Sequence, residues 1–306
     1  MGRLWKIALG IVIVAAIALW DVGLPGKHAP ATSTAAQSSP SASAPSPSVS
    51  ASTAPMVPDL PGVIQPKGGP EFTAAFTGSK LDRSVWGTCY PQPQLHFSNG
   101  CTNFGNKTKE AEWYVPSQVK VSGGVLHLTA DHEPTAGDTS VGAPQTYSCR
   151  SGMVTTYPGF RFKYGFIQVV ARIPSSSGLW PALWLAAANL QWPPEMDMLE
   201  AWGSPKFYAA VYFHYGTPTA NTQDRGVITP ATLASGWHTF GLSWTRTQMT
   251  WLLDGKPVLT VRQHIPHQKM YFIANLAEAI SKADPDVTAG QCSGSLLIRS
   301  VQLWKN

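Results

Sequence analysis

Residues 178–203 read GLWPALWLAAANLQWPPEMDMLEAWG, and the fold is decided by how the segment Glu195-Met196-Asp197-Met198-Leu199-Glu200 within it is read. As a strand, it alternates side chains between two faces, so Glu195 and Asp197 share one face and Met196 and Met198 the other. Glu200 is out of phase by one residue. A β-bulge adds one residue to a strand, and one placed here turns Glu200 back to the face of Glu195 and Asp197. The two glutamates are then about four strand steps apart, roughly 13 Å between Cα atoms. Side chains leaning together across that gap can bring their carboxyl groups to about 5–5.5 Å.

Like charges gathered on one strand face repel one another. Crowding raises at least one carboxyl pKa, which leaves a protonated acid beside an ionised group near neutral pH. The alternative is a solvated strand edge whose charges block edge-to-edge pairing. Trp180, Trp184, Trp192 and Trp202 surround the carboxylates in sequence. Flat apolar rings among carboxylates suit a sugar-binding cleft; packing in a core is the other use of such rings.

GLWPALW followed by WPPEMDMLE resembles the signature of glycoside hydrolase family 16, the laminarinase and lichenase family. The family's pattern is E-x-D-x-E or, with the bulge, E-x-D-x-x-E, and this chain has the bulged form. EAEWYVPSQVKVSGGVLHLTA, YGFIQVV, WHTFGLSWT, MTWLLDGKPV and YFIANLA are similar to the family in the same order, so the resemblance runs from Phe72 to Trp304.

The first 21 residues read as a signal peptide or an N-terminal signal anchor: Arg3 and Lys6 precede an apolar run from Ile7 to Trp20, closed by Asp21. Either puts the rest of the chain outside the cytoplasm, the anchor as a membrane tether. Residues 22–70 are a linker. Ala29 to Val57 is Ala, Ser, Thr and Pro without an aromatic residue, too polar to bury a core and held extended by its prolines, and Pro58 to Pro70 is a Pro/Gly-rich lead-in.

Residues 71–306 form one domain of a size usual for all-β folds. The chain is 13% charged and 43% hydrophobic, with 12 Trp and 27 Gly, which favours an aromatic-rich β protein punctuated by glycine. Its net charge of +5 is spread out, with no Lys/Arg cluster interleaved with aromatics, so nucleic-acid binding has no support. Period-two rows occur at Ile167/Val169/Ala171, Phe240/Leu242/Trp244 and Met249/Trp251/Leu253, and Leu296 to Trp304 reads as a closing strand. Ser122-Gly123-Gly124 and Asp254-Gly255 mark hairpin turns. Many short strands without an amphipathic helix indicate an antiparallel β-sandwich, which the resemblance sharpens to a jelly roll with a concave substrate cleft.

Four cysteines allow three pairings. Cys89–Cys101 closes a loop rich in Pro, Gln and Asn, and Cys149–Cys292 ties a distant segment to the last strands. Metal ligation is the rival reading, without a C-x-x-C spacing or a nearby His pair to support it.

The resemblance implies hydrolysis of an internal β-glycosidic bond with retention. Glu195 is then the nucleophile, Glu200 the general acid and then base, and Asp197 a partner that tunes the pair or serves structure. Substrate contacts are expected first from Trp184 and Trp180, then Trp202 and Trp192. His214, in YFHYG, can face the cleft near the acid or be structural, and Asn275 in IANLA matches a position that hydrogen-bonds sugar hydroxyls. Two departures stand out: Gln168 and Val170 occupy what reads as the cleft-strand position of a Glu/Arg pair, and Glu110 matches its region only in part.

A transglycosylase would use the same trio, whereas a lectin of this fold would have lost part of it. Laminarin-type β-1,3-glucan leads as substrate, followed by mixed-linkage β-1,3-1,4-glucan, then a bacterial exopolysaccharide or galactan. No catalytic cofactor is implied. A structural calcium occurs in some relatives, but no acidic loop here marks one. A monomer is expected.

Overall fold

The computed structural model describes residues 62–102, 111–176, 178–202, 208–229, 233, 235–278 and 292–305. The N-terminal segment, most of the linker and Glu110 lie outside them. Among the described residues the chain forms twenty strands and two single 3₁₀ turns.

In chain order the strands begin with β1 (Phe72–Ala74), β2 (His96–Phe97), β3 (Gly100–Cys101), β4 (Glu112–Tyr114), β5 (Val119–Ser122), β6 (Val125–Ala130) and β7 (Thr135–Asp138). There follow β8 (Pro144–Tyr147), β9 (Cys149–Ser151), β10 (Met153–Thr155), β11 (Gly165–Arg172), β12 (Leu179–Ala187), β13 (Glu195–Trp202) and β14 (Tyr208–Thr217). The last are β15 (Ala220–Ile228), β16 (His238–Trp244), β17 (Met249–Leu253), β18 (Lys256–Val261), β19 (Met270–Glu278) and β20 (Gly294–Trp304).

Two large antiparallel sheets carry the fold, as the sandwich reading expects. One has the order β18-β17-β16-β11-β20-β6-β5, with β1 also on β20; the other has the order β10-β19-β12-β13-β14-β15. Their inward side chains make one core. Leu183, Leu185, Met196, Phe213 and Phe272 of the second sheet join Leu126, Val169, Phe240, Trp251 and Val301 of the first. The period-two rows read from the sequence fill the inward side of β11, β16 and β17. The tight turns are where the glycines fall: Gly123 and Gly124 take φ of 59° and 73°, and Asp254 and Gly255 take 48° and 75°. Positive φ at both central residues gives the hairpin whose twist matches its strands.

β11 corrects one sequence expectation. Gln168 and Val170 do not lie on a cleft strand, because β11 pairs β16 and β20 in the first sheet. Ile167, Val169 and Ala171 take its core face, which turns Gln168 and Val170 to the side away from the second sheet. There the Ile64 amide donates to Gln168 Oε1 at 2.8 Å. Gly62 lies so close to the Asp254 backbone that a Cβ would come within 2.1 Å of it. The chain is therefore laid against the back of the first sheet before β1 begins.

Both expected disulfides form, Cys89–Cys101 with Cα atoms 5.7 Å apart and Cys149–Cys292 with 6.3 Å. The second joins β9 to the entry of β20 across 143 residues of sequence. Linking residues so far apart restricts the unfolded chain strongly.

The bulge in β13 is present. Opposite β12, Leu183 pairs with Leu199 and Trp184 with Asp197, so Met198 is the extra residue. The same irregularity appears against β14, between Asp197 and Glu200. Met198 and Leu199 both enter the core in succession, and the alternation resumes with Glu200 outward and Ala201 inward.

This geometry makes two one-residue deletions opposite in effect. Removing Met198 leaves every remaining β12 pair in register and should give a cooperatively folded domain, destabilised by about 2–5 kcal/mol for the lost buried side chain. Removing Met196 turns Glu195 into the apolar core and should abolish cooperative folding. Thermal unfolding followed by circular dichroism distinguishes the two.

Candidate active site

The outer face of the six-stranded sheet is built from alternate residues of its strands. On β13 these are Glu195, Asp197, Glu200 and Trp202; on β12, Trp180, Ala182 and Trp184. Register sets the neighbours. Glu195 pairs with His214 and Asp197 with Tyr212 on β14, while Glu200 pairs with Ala182 on β12. The three carboxylates predicted to share a face therefore do so. His214 stands opposite Glu195 rather than beside Glu200.

Each glutamate receives an indole N–H. Trp192 Nε1 donates to Glu195 Oε2 at 3.1 Å, and Trp180 Nε1 donates to Glu200 Oε1 at 3.1 Å. Trp180 can reach because it sits two residues along β12 from Ala182, on the same face and diagonal to Glu200. Trp202 lies over Trp180 with ring centroids 5.3 Å apart. Trp192 and Trp202 are half-buried beside the carboxylates.

His214 Nε2 lies 3.5 Å from Glu195 Oε1 and 3.4 Å from Asp197 Oδ2. Its ring stacks on Tyr212 with centroids 5.8 Å apart. Asp197 is 2% exposed, and its Oδ2 has no hydrogen-bond partner. Burial pushes the Asp197 carboxyl well above the usual carboxylate range. Glu200 is pushed well up too, by burial first and then by the charges of Asp197 and Glu195, with His214 and the Trp180 N–H opposing. An acid held protonated beside other carboxylates can donate a proton near neutral pH.

Trp184 and Asn275 are placed differently from the other candidates. The Trp184 N–H donates to Asn275 Oδ1 at 2.8 Å, and Asn275 Nδ2 donates to the Tyr114 hydroxyl at 3.1 Å. All three are buried, packed with Tyr90, Tyr271 and Ile273. This chain of hydrogen bonds walls one side of the site. Tyr114, Tyr271 and Tyr212 were not singled out in the sequence. Tyr114 and Tyr271 lie within motifs quoted for the resemblance, and Tyr212 two residues before His214, but nothing in their spacing set them apart.

Two groups of three possible metal ligands converge among the described residues: Glu195 with Asp197 and His214, and His132 with Cys149 and Cys292. The second has both thiols committed to a disulfide.

The endo-1,3-1,4-beta-glycanase ExsH of Rhizobium meliloti is 33% identical over 180 residues, 55% of this chain and 37% of that protein. The endo-1,3-1,4-beta-glycanase EglC of the same organism is 29% identical over 218 residues, 67% of this chain and 45% of its own length. The chain thus spans less than half the length of either relative. Among solved structures, LamAcat from Zobellia galactanivorans superimposes with a TM-score of 0.64 at 23% identity, covering 78% of this chain and 98% of that one, a likeness of fold. The model of glycosyl hydrolases family 16 matches residues 106–290, more than half of the sequence and the whole of the carboxylate-bearing strand, and the chain belongs to that family.

Proposed function

We propose that the chain is an endo-acting retaining glycoside hydrolase that cleaves β-1,3- or mixed β-1,3-1,4-glucan. The observation that carries this reading is the bulge at Met198, which leaves Glu195 and Glu200 on one face of the sheet, each fixed by an indole N–H. The names of the two similar glycanases favour the same substrate class.

In this reading Glu195 attacks the anomeric carbon as the protonated Glu200 delivers its proton to the leaving glycosidic oxygen. The products of that step are a glycosyl ester on Glu195 and an ionised Glu200. Glu200 then takes a proton from water, which opens the ester and restores both groups. Esterification removes the charge of Glu195, one of the causes of the raised Glu200 pKa. Glu200 therefore becomes more acidic at the point where it must act as a base. The Trp192 N–H holds Glu195 with His214 close by, and the half-buried Trp192 and Trp202 offer rings to sugar. Two disulfides fit an exported chain, delivered or tethered by the apolar N-terminal segment.

Glu195→Ala and Glu200→Ala should each lower turnover of laminarin and lichenan by at least about 1,000-fold without loss of fold. Azide should restore turnover with opposite product anomers in the two variants. Near-normal activity in either variant, measured as reducing ends with oligosaccharides identified, overturns the assignment.

The raised carboxyl pKa values also bear on stability. A carboxyl whose pKa is higher folded than unfolded favours the native state below the ordinary carboxylate value of about 4, and that contribution is lost as pH rises through the raised pKa. Glu200→Gln and Asp197→Asn should therefore raise the melting temperature relative to the parent at pH 7 and above, with the gain disappearing below about pH 4. Melting temperatures of the three proteins across pH 3–9 check this.

A further inference from the structure

The contact between His214 and the two carboxylates has an unusual length. An N–H···O hydrogen bond is commonly about 2.7–3.2 Å, yet His214 Nε2 stands 3.5 Å from Glu195 Oε1 and 3.4 Å from Asp197 Oδ2. Asp197 Oδ2 is buried and makes no hydrogen bond at all. The gap matches a different object. Zinc bound at about 2.0–2.1 Å to nitrogen and oxygen in a tetrahedron has ligands about 3.3–3.4 Å apart. Ligand atoms of all three side chains lie within 4.8 Å of one another.

The surroundings suit a cation. Trp192 donates to Glu195 Oε2, on the far side of that carboxylate, which leaves Oε1 turned toward the imidazole. Hydrogen-bonded support of a ligating carboxylate is the usual outer shell of a metal site, and here Glu195 has it while the buried His214 Nδ1 does not. His214 stacks on Tyr212 and meets Trp192 at a tilt, with centroid distances of 5.8 and 6.0 Å. Imidazole and carboxylate oxygen are the donor set of zinc and its neighbours among divalent transition ions. Two carboxylates with a neutral imidazole cancel the charge of a divalent ion, and so relieve the repulsion of buried anions.

We propose that Glu195, Asp197 and His214 form a zinc(II) site, with water in the fourth position, whose occupation inhibits the enzyme. Its inhibitory character rests on the hydrolase reading above: zinc engages Glu195 Oε1, which withholds that carboxylate from the sugar and makes inhibition competitive with glucan. Zinc binding itself does not depend on that reading and is measurable without turnover.

The test is calorimetric titration of the full chain with zinc chloride at pH 7, with Glu195→Gln, His214→Ala and His132→Ala alongside. One zinc per chain is expected. Affinity should be at least about 100-fold weaker in the first two variants, since loss of an outer-shell partner alone costs 10–100-fold. It should be unchanged in His132→Ala, which reports on the second cluster. Cobalt(II) at the same site should show the visible absorption of a tetrahedral ion, absent in Glu195→Gln. The amide differs from the parent by one atom, so it carries the test if His214→Ala fails to fold. Absence of saturable zinc binding, equal affinity in Glu195→Gln, or loss of binding only in His132→Ala overturns the proposal. A glucan assay of the same samples reports on the hydrolase reading separately. Turnover that zinc leaves untouched, with the site shown occupied, overturns the inhibitory role alone.

Discussion

One additional residue in a strand governs this molecule. Met198 sits where an unbroken alternation would send Glu200 into the core, and the sheet accommodates it by taking Met198 and Leu199 inward together. Without that irregularity the six-stranded sheet would have to bury a carboxylate among Leu183, Phe213 and Phe272, at a cost of several kcal/mol. The apolar core and the acidic face are thus two results of one register. The core requires Met196, Met198 and Leu199 inside, and the bulge is the conformation that meets this while keeping all three acids out.

Collecting acids in a partly dry place works against stability. Asp197 is almost wholly buried without a hydrogen bond to its Oδ2, and both Asp197 and Glu200 have their protonated forms favoured by burial. The arrangement persists because the rest of the fold over-determines it. β13 is clamped between β12 and β14, and the sheet behind it is fixed by a continuous core and by the Cys149–Cys292 link. Local rules broken at one place and upheld around it are what a functional site looks like.

Much of this was legible in the sequence, for identifiable reasons. Period two reports which face a residue takes, so Glu195 with Asp197 and the inward rows of β11, β16 and β17 could be read directly, whereas Glu200 joined them only on the supposition of a bulge that the family's pattern supports. Turn chemistry gave the two hairpins, because Gly-Gly and Asp-Gly supply positive φ where the twist of paired strands demands it. Period two does not report which sheet a strand joins. That is why Gln168 read as a cleft residue and lies on the opposite side of the molecule. Nor does it report what folds over a ring. Trp184 shares the face of Trp180, yet the segment carrying Tyr90 and Leu95 closes over it and makes it part of a wall. Tyr114 and Tyr271 escaped notice for the same reason, since their place depends on contacts between segments far apart in the chain.

The choice of donor to the two glutamates follows from the chemistry the face can support. A lysine or arginine beside Glu200 would order the side chain well, but its full charge would pull the pKa down and remove the protonated form. An indole N–H orders the carboxylate with a partial charge, cannot ionise, and brings an apolar ring that keeps water back. The Trp180 N–H does lower the pKa of Glu200, yet burial and the neighbouring acids outweigh it and the net shift stays upward. Two of the tryptophans that the sequence offers as surfaces for sugar, Trp180 and Trp192, are the hydrogen-bond donors that fix the two glutamates. Trp180, Trp184 and Trp202 thus share the face with three acids, without a cation on either strand that carries them. Among the described residues the base set against them is His214, with Nε2 3.5 Å from Glu195 and 3.4 Å from Asp197.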